Sequence, residues 1–174
     1  MRAKGFVSIV NICDGEGKII SPQKAVDYGW VKPSRQGRGW GLDRSEIPLG
    51  ENLFVDSGRQ SLAYCFGFRA PITNFVVQQF SVGTGTTPPA VTDVTLVNPI
   101  SLPSGFYKPI NGVDFPSPFV ARVEFTLGAS DANGYLITEL GLFSGDTTMF
   151  CRKTITGLNK TSDFSPTIAW RVRF

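Results

Sequence analysis

Histidine is absent from all 174 residues. That excludes the Ser-His-Asp triad, the Cys-His dyad, His-bearing zinc sites and the side chain that most often moves protons near neutral pH. Charge is also sparse. Asp, Glu, Lys and Arg make up 18% of the chain, below the ~25% usual for soluble domains, so part of the surface is expected to be covered by partners. The three cysteines, Cys13, Cys65 and Cys151, are odd in number and widely spaced. They offer neither a paired disulfide framework nor a Cys-x-x-Cys metal site, and reduced thiols in a protein made in the cytoplasm are expected. No apolar run approaches the ~18 residues of a membrane span, and the start of the chain is too poor in apolar residues for a signal peptide. No catalytic group, cofactor or metal is expected.

The net charge of +3 comes from 17 basic and 14 acidic residues, and its excess lies in the first part of the chain. Phosphate-backbone binding needs clustered Lys and Arg, so nucleic acid is disfavoured, as is a membrane. What the chain does have is punctuation and aromatic bulk: 19 Gly and 12 Pro alongside 14 Phe, 4 Tyr and 3 Trp. Frequent turns with abundant core material favour short strands over a helix bundle.

Residues 1–56 and 57–174 read differently, and the expected division is an N-terminal hairpin with a docking arm, followed by a helix and a β domain. Phe6 to Ile12 is a plausible strand, Asp14-Gly15-Glu16-Gly17 a turn, and Lys18 to Ile20 a returning strand. From Tyr28 to Gly50 the sequence is Gly-rich and basic with no helical or strand period, which predicts a loop or arm. Ser57 to Phe66 carries the helical signal, with Ser57 as N-cap and Gly67 as stop.

Strands are expected thereafter. Phe75 to Val82 is β-branched and aromatic; Phe119, Ala121, Val123, Phe125 and Leu127 alternate with polar neighbours. Tyr135 to Phe143 is almost wholly apolar and is joined through Ser144-Gly145-Asp146 to Thr148 to Ile155 as a hairpin. Phe164, Pro166, Ile168, Trp170, Val172 and Phe174 share one face, which predicts that the chain ends inside its core. The fold class expected is mainly β: an antiparallel β-sandwich with one short helix and an extended, irregular N-terminal arm.

Among the acids, Asp93, Asp114, Glu124, Asp131, Asp146 and Asp163 lie in turn-like or polar-face contexts, where a solvated carboxylate is the default. A glycosidase would need two carboxylates set across a cleft. Glu139 stands out because Leu136, Ile137, Leu140 and Leu142 surround it. A carboxylate there requires a basic or backbone partner, such as Arg122, Arg152 or a loop to cap. The other candidate is the arm, where Trp30, Lys32, Arg35, Arg38, Trp40 and Arg44 interleave indoles with cations. That composition suits a protein-protein contact, with a glycan-binding role for the tryptophans or a solvated loop as alternatives.

Three ordered blocks carry a family resemblance. The string from Phe80 to Leu96, with Gly83-Thr84-Gly85-Thr86-Thr87-Pro88-Pro89 and Asp93, resembles a pattern in virion structural proteins of tailed bacteriophages. The block Ile137-Thr138-Glu139-Leu140-Gly141-Leu142-Phe143 is similar to a strand of those proteins. Met149 to Ile155, Lys160 to Phe164 and Ile168 to Phe174 are similar to their closing hairpin and last strand. The resemblance covers roughly residues 57–174. It implies a β-sandwich building block of a tail fibre, baseplate, neck or collar, forming a homo-oligomer whose partners are portal or connector, tail or fibre proteins. A capsid decoration or cement protein is the alternative within the virion, and a carbohydrate-binding module the alternative outside it.

Overall fold

The computed structural model describes residues 4–32, 46–67 and 75–174. Among them, two helices accompany nine strands: β1 (Lys4–Cys13), α1 (Pro22–Asp27), β2 (Ile47–Phe54), α2 (Asp56–Gly67), β3 (Val77–Gly83), β4 (Lys108–Pro109), β5 (Gly112–Ser117), β6 (Val120–Thr126), β7 (Leu136–Ser144), β8 (Met149–Asn159) and β9 (Ser165–Arg173). All pair antiparallel in one sheet ordered β4-β3-β7-β8-β2-β1-β9-β6-β5. The chain is therefore mainly β.

The sheet curls until its flanks meet. Phe80 of β3 stacks on Phe125 of β6 with centroids 4.2 Å apart, although five strands separate β3 from β6 in the sheet order. One short stretch joins the two flanks. The Ile110 amide donates to Gln78 O at 3.0 Å, and the next amide, of Asn111, donates to Glu124 O at 2.7 Å. Beyond that point β5 follows β6, while β3 continues toward the end of the sheet where α2 lies, so the flanks part. The concave side holds the core, including Val7, Ile9, Leu49, Leu140, Leu142, Leu158, Ile168 and Trp170.

β1 and β2 lie in the middle of this sheet. β1 pairs with β9 from Lys4 to Cys13, and β2 joins β1 to β8. The division expected at residue 56 therefore does not divide the sheet, and residues 4–13 and 47–54 belong to the same core as the C-terminal strands. The physical reason is that Phe6, Val7, Ser8 and Ile9 are consecutively buried, so β1 is an interior strand that needs pairing on both edges, which β2 and β9 supply. The expected turn after Cys13 is present, with Ile20 N donating to Ile12 O at 2.9 Å.

A helix absent from the sequence expectation, α1, starts at Ser21, whose hydroxyl accepts from the Lys24 amide, with Pro22 in the first turn. This is an N-cap followed by the residue best tolerated at a helix start. In α2, Ser57 is not the cap. It lies inside the first turn, its hydroxyl donates to Met149 O at 2.7 Å, and it ties the helix to β8. Gly58 allows that approach, because a Cβ there would lie 2.6 Å from the Phe150 backbone.

β7 is buried on both faces, which explains its nearly continuous apolar run. Leu140 and Leu142 enter the concave core. On the opposite face, Phe143 joins Val55, Leu96, Met149 and Tyr107 in a second apolar cluster. The connection from β3 to β4 supplies that cover: Thr84 N donates to Asn98 O and Ile100 N to Val82 O, each at 2.9 Å, so the chain doubles back along β3.

Candidate functional site

The strongest concentration of charge lies beneath that connection. Glu139, fully buried, accepts at Oε1 from the amides of Gly85 at 3.0 Å and Asn98 at 2.7 Å. Its Oε2 accepts from the Val97 amide at 3.1 Å and from Arg152 Nε and Nη2 at 3.1 and 2.9 Å. Arg152, also fully buried, turns Nη1 to Asp93 Oδ2 at 2.8 Å and shares Nη2 with Thr87 O at 3.0 Å. Asp93 in turn accepts from the Ala90 amide at 2.9 Å.

Five donors on one carboxylate meet its roughly four lone-pair sites, leaving none for a substrate proton. An unpaired buried carboxylate would be strongly disfavoured; this one is stabilised because the loop and the guanidinium together replace its water. The sequence expectation that Glu139 pairs with a cation or caps a loop is met in both respects, with Arg152 as the cation. The glycines of the Gly-Thr-Gly turn have a direct reason: a Cβ on Gly83 or Gly85 would stand 2.5 Å from Glu139 Oε1.

The other candidate acids lie apart from that network. Asp131 bonds Lys108 and the Gly128 amide, Asp114 and Glu124 share Arg122, and Asp163 faces the Ser162 hydroxyl. Asp146 closes the β7–β8 turn through Ser144 and the Thr148 amide, and the Ser144 hydroxyl holds its carboxyl below the ordinary value. Among the described residues no group of three His, Cys, Asp or Glu is arranged to hold a metal ion. Burial pushes the Cys151 thiol well up, which keeps it protonated and inert.

Two buried cations were not anticipated. Arg171 donates to Glu46 from Nη1 at 2.8 Å and Nη2 at 2.7 Å, with Ser8 Oγ bridging them. Lys160, with no exposed surface, donates to Asn133 Oδ1 at 3.0 Å and Thr161 O at 2.7 Å. Desolvation pulls its ammonium down to about 8, against the opposing pull of Asp131. The available sequence signal was a cation inside an otherwise apolar strand, as at Arg152 and Arg171.

No family model, curated protein or solved structure matches the chain. No helix among the described residues is long and apolar enough to cross a membrane.

Of the arm residues, Arg35, Arg38, Trp40 and Arg44 lie outside the described residues. Trp30 is half-buried and packs between Tyr28 and Phe164, at centroid distances of 4.9 and 5.0 Å. Its carbonyl accepts from the Asn159 amide at 2.8 Å, so the backbone here is tied to β8. Lys32 is exposed, and its carbonyl accepts from the Thr156 hydroxyl.

A different surface gathers exposed aromatics. Phe119 and Phe174, expected to face the core, are 67% and 45% exposed, and Phe115 is 73% exposed. The Phe174 amide donates to Phe119 O at 2.9 Å, which brings the end of the chain to the β5–β6 turn. Both residues continue the inward rows of β6 and β9, but they extend past the point where the flanks part and the core stops. Alternation predicts the face correctly but carries no information about where the opposing wall ends. Beside them an apolar groove of about 380 Å3 runs between β3, β5 and α2, lined by residues including Leu62, Cys65, Val77, Val113, Phe115 and Phe174.

Proposed function

We propose that the chain is a structural component of a tailed-phage virion: an adaptor or fibre-anchoring subunit at the neck, collar or tail that assembles as a symmetric oligomer. The observation that carries this reading is the convergence of the three resembling blocks on one buried cluster. The Gly83–Gly85 turn, Glu139 of the Ile-Thr-Glu strand and Arg152 of the closing hairpin bond one another, so the blocks form one built unit. Charges so spent inside the fold hold a loop in shape, which suits a subunit whose work is done by its surfaces.

We read the curled sheet as a strongly bent β-sandwich, β4-β3-β7-β8 facing β1-β9-β6-β5 with β2 at the fold between them. The ring pair Phe80–Phe125 across the interior supports that reading. The basic stretch with Arg35, Arg38, Trp40 and Arg44 is the segment we assign to docking on a portal, tail or fibre protein. Trp30, packed on Phe164, anchors the start of that stretch to the domain.

Because β1 and β2 are internal, the test leaves them in place. Residues 33–45 are replaced by a Gly-Ser linker of equal length in a phage that depends on the protein for assembly. The expected result is a folded chain that no longer enters particles; unaltered incorporation refutes docking through this stretch.

A further inference from the structure

We infer that Lys160 and Asn133 form a side-chain amide cross-link within the chain: the Lys160 amine displaces ammonia from the Asn133 carboxamide and ties the β6–β7 turn to the β8–β9 turn. The inference goes beyond the assembly reading above and does not rest on it.

The backbone sets the two residues side by side. β7 and β8 pair at Leu136 and Asn159. Just past that rung the Gly134 amide donates to Lys160 O at 2.9 Å, and the Lys160 amide donates to Tyr135 O at 3.1 Å. From this frame Lys160 Nζ reaches Asn133 Oδ1 at 3.0 Å. With a carbonyl bond of about 1.2 Å, the Asn133 Cγ lies no farther than about 4.2 Å from Nζ. A shift of roughly 1 Å therefore brings amine and carbon to the ~3–3.5 Å of a reacting pair. Asn133 Nδ2 donates to Ala129 O at 2.6 Å, which holds the carboxamide with its oxygen toward Lys160.

The surroundings favour the form of the amine that attacks. A lysine nitrogen is a nucleophile only without its extra proton. Lys160 has no exposed surface. Among the described residues its nitrogen meets two acceptors, Asn133 Oδ1 and, at 2.7 Å, Thr161 O; a neutral amine has two hydrogens to give them and keeps its lone pair. Asp131 favours the ammonium, but its carboxylate is bonded to Lys108, whose charge opposes a second cation nearby. Desolvation outweighs Asp131 and sets the Lys160 value at about 8, so about one tenth of the amine is neutral at pH 7.

A competing nucleophile is restrained. Asparagine followed by glycine ordinarily cyclises through the next backbone nitrogen, but here the Gly134 N–H is committed to Lys160 O. The cross-linking step balances without a co-reactant: Cγ gains a bond to Lys160 Nζ and loses its bond to Nδ2, and a proton from Nζ leaves on the ammonia. Asn133 is exposed, so water relays that proton and takes up the ammonia. The β7–β8 hairpin is already closed at its turn, where Ser144 N donates to Thr148 O at 2.9 Å. An amide between residues 133 and 160 makes it a covalent ring that cannot unzip from its open end. Until the bond forms, Lys160 titrates as a free amine; afterwards the site carries no charge.

Intact-mass spectrometry of the folded full chain, held for days at about pH 9 so that the Lys160 amine is mostly neutral, tests the inference. The expected result is the loss of one ammonia per chain and a digest fragment joining residues 133 and 160. At about pH 6, where the amine is protonated, the loss should be at least about tenfold slower. Asn133→Ala and Lys160→Arg, shown to be folded by thermal melts, should keep the full mass; Asn133 is exposed, so its variant carries the test even where Lys160→Arg fails to fold. A wild-type chain that keeps its full mass overturns the inference. So does a loss that maps to Asn133 and Gly134 alone, which is the backbone imide, or one that runs as fast in urea, where the folded geometry is gone.

Discussion

The two faces of the sheet near β7 and β8 show opposite solutions to exposed apolar surface. On the convex face, a long connection folds back over Phe143 and Met149 and is held there by Glu139, Arg152 and Asp93. On the concave face, where β3 and β5 part, no described element closes the end, and Phe115, Phe119 and Phe174 line or flank an open groove. The comparison teaches where the chain has invested its charge. Cover built from the chain's own loop is pinned by an ion-pair network, whereas the groove at the other place is lined among the described residues almost wholly by apolar side chains.

Removing Glu139 strikes the covered face hardest. Glu139→Ala leaves the Arg152 guanidinium buried with only Asp93 and one carbonyl, and a loss of about 3–5 kcal/mol is expected, read by urea denaturation. Hydrogen exchange of residues 84–98 should rise by a larger factor than that of β1 and β9, since the amides of Gly85, Val97 and Asn98 lose the carboxylate that accepts from them. Uniform loss across the sheet would contradict the pinning role.

Gly85→Ala probes the same unit by steric means. Its Cβ would sit 2.5 Å from Glu139 Oε1, and displacing a saturated carboxylate should cost about 1–3 kcal/mol. Gly112→Ala, with nothing within 4 Å of its Cβ, is the control and should change stability by less than ~0.5 kcal/mol.

Lys160 gives a pH signature. Its folded value of about 8 lies below the ~10.4 of an unfolded lysine. Between those values the unfolded chain binds more protons, so this residue makes stability rise with pH across the window, and its destabilising burial is fully present below it. In paired melts, the wild type should gain on Lys160→Met as pH goes from about 7 to 10; a constant or widening deficit would sink the assignment.

At the open end the effects on folding should be smallest. Phe119→Ser removes a ring that is 67% exposed, and stability should stay within about 0.5 kcal/mol of wild type. A loss above ~2 kcal/mol would show that this turn closes the core instead of projecting from it.

Much of this fold could be read in the residues. The strands near 119–127 and 165–173 follow from alternation, those near 75–83 and 135–144 from β-branched, aromatic and apolar runs, and Glu139 stands out because a carboxylate among leucines needs a partner. Three features were not legible. Ser21-Pro22 opens a helix of only six residues, too short to show a period. β1 and β2 pair with strands more than 90 residues away in sequence, so the Gly-rich stretch between them looked like a boundary. Phe119 and Phe174 obey the inward pattern yet lie beyond the opposing flank, since local alternation fixes a side chain's face and only the tertiary curl fixes its depth. The arm expected around Arg35, Arg38, Trp40 and Arg44 lies outside the described residues; within reach of the structure, Trp30 is drawn onto Phe164.

The proposed virion role is tested most directly by quantitative mass spectrometry of purified tailed-phage particles from cells that express this chain, joined to a reconstruction of the same particles. The account predicts many copies per virion in a symmetric neck, collar or tail layer. Particles that are complete and infectious without the chain would contradict it.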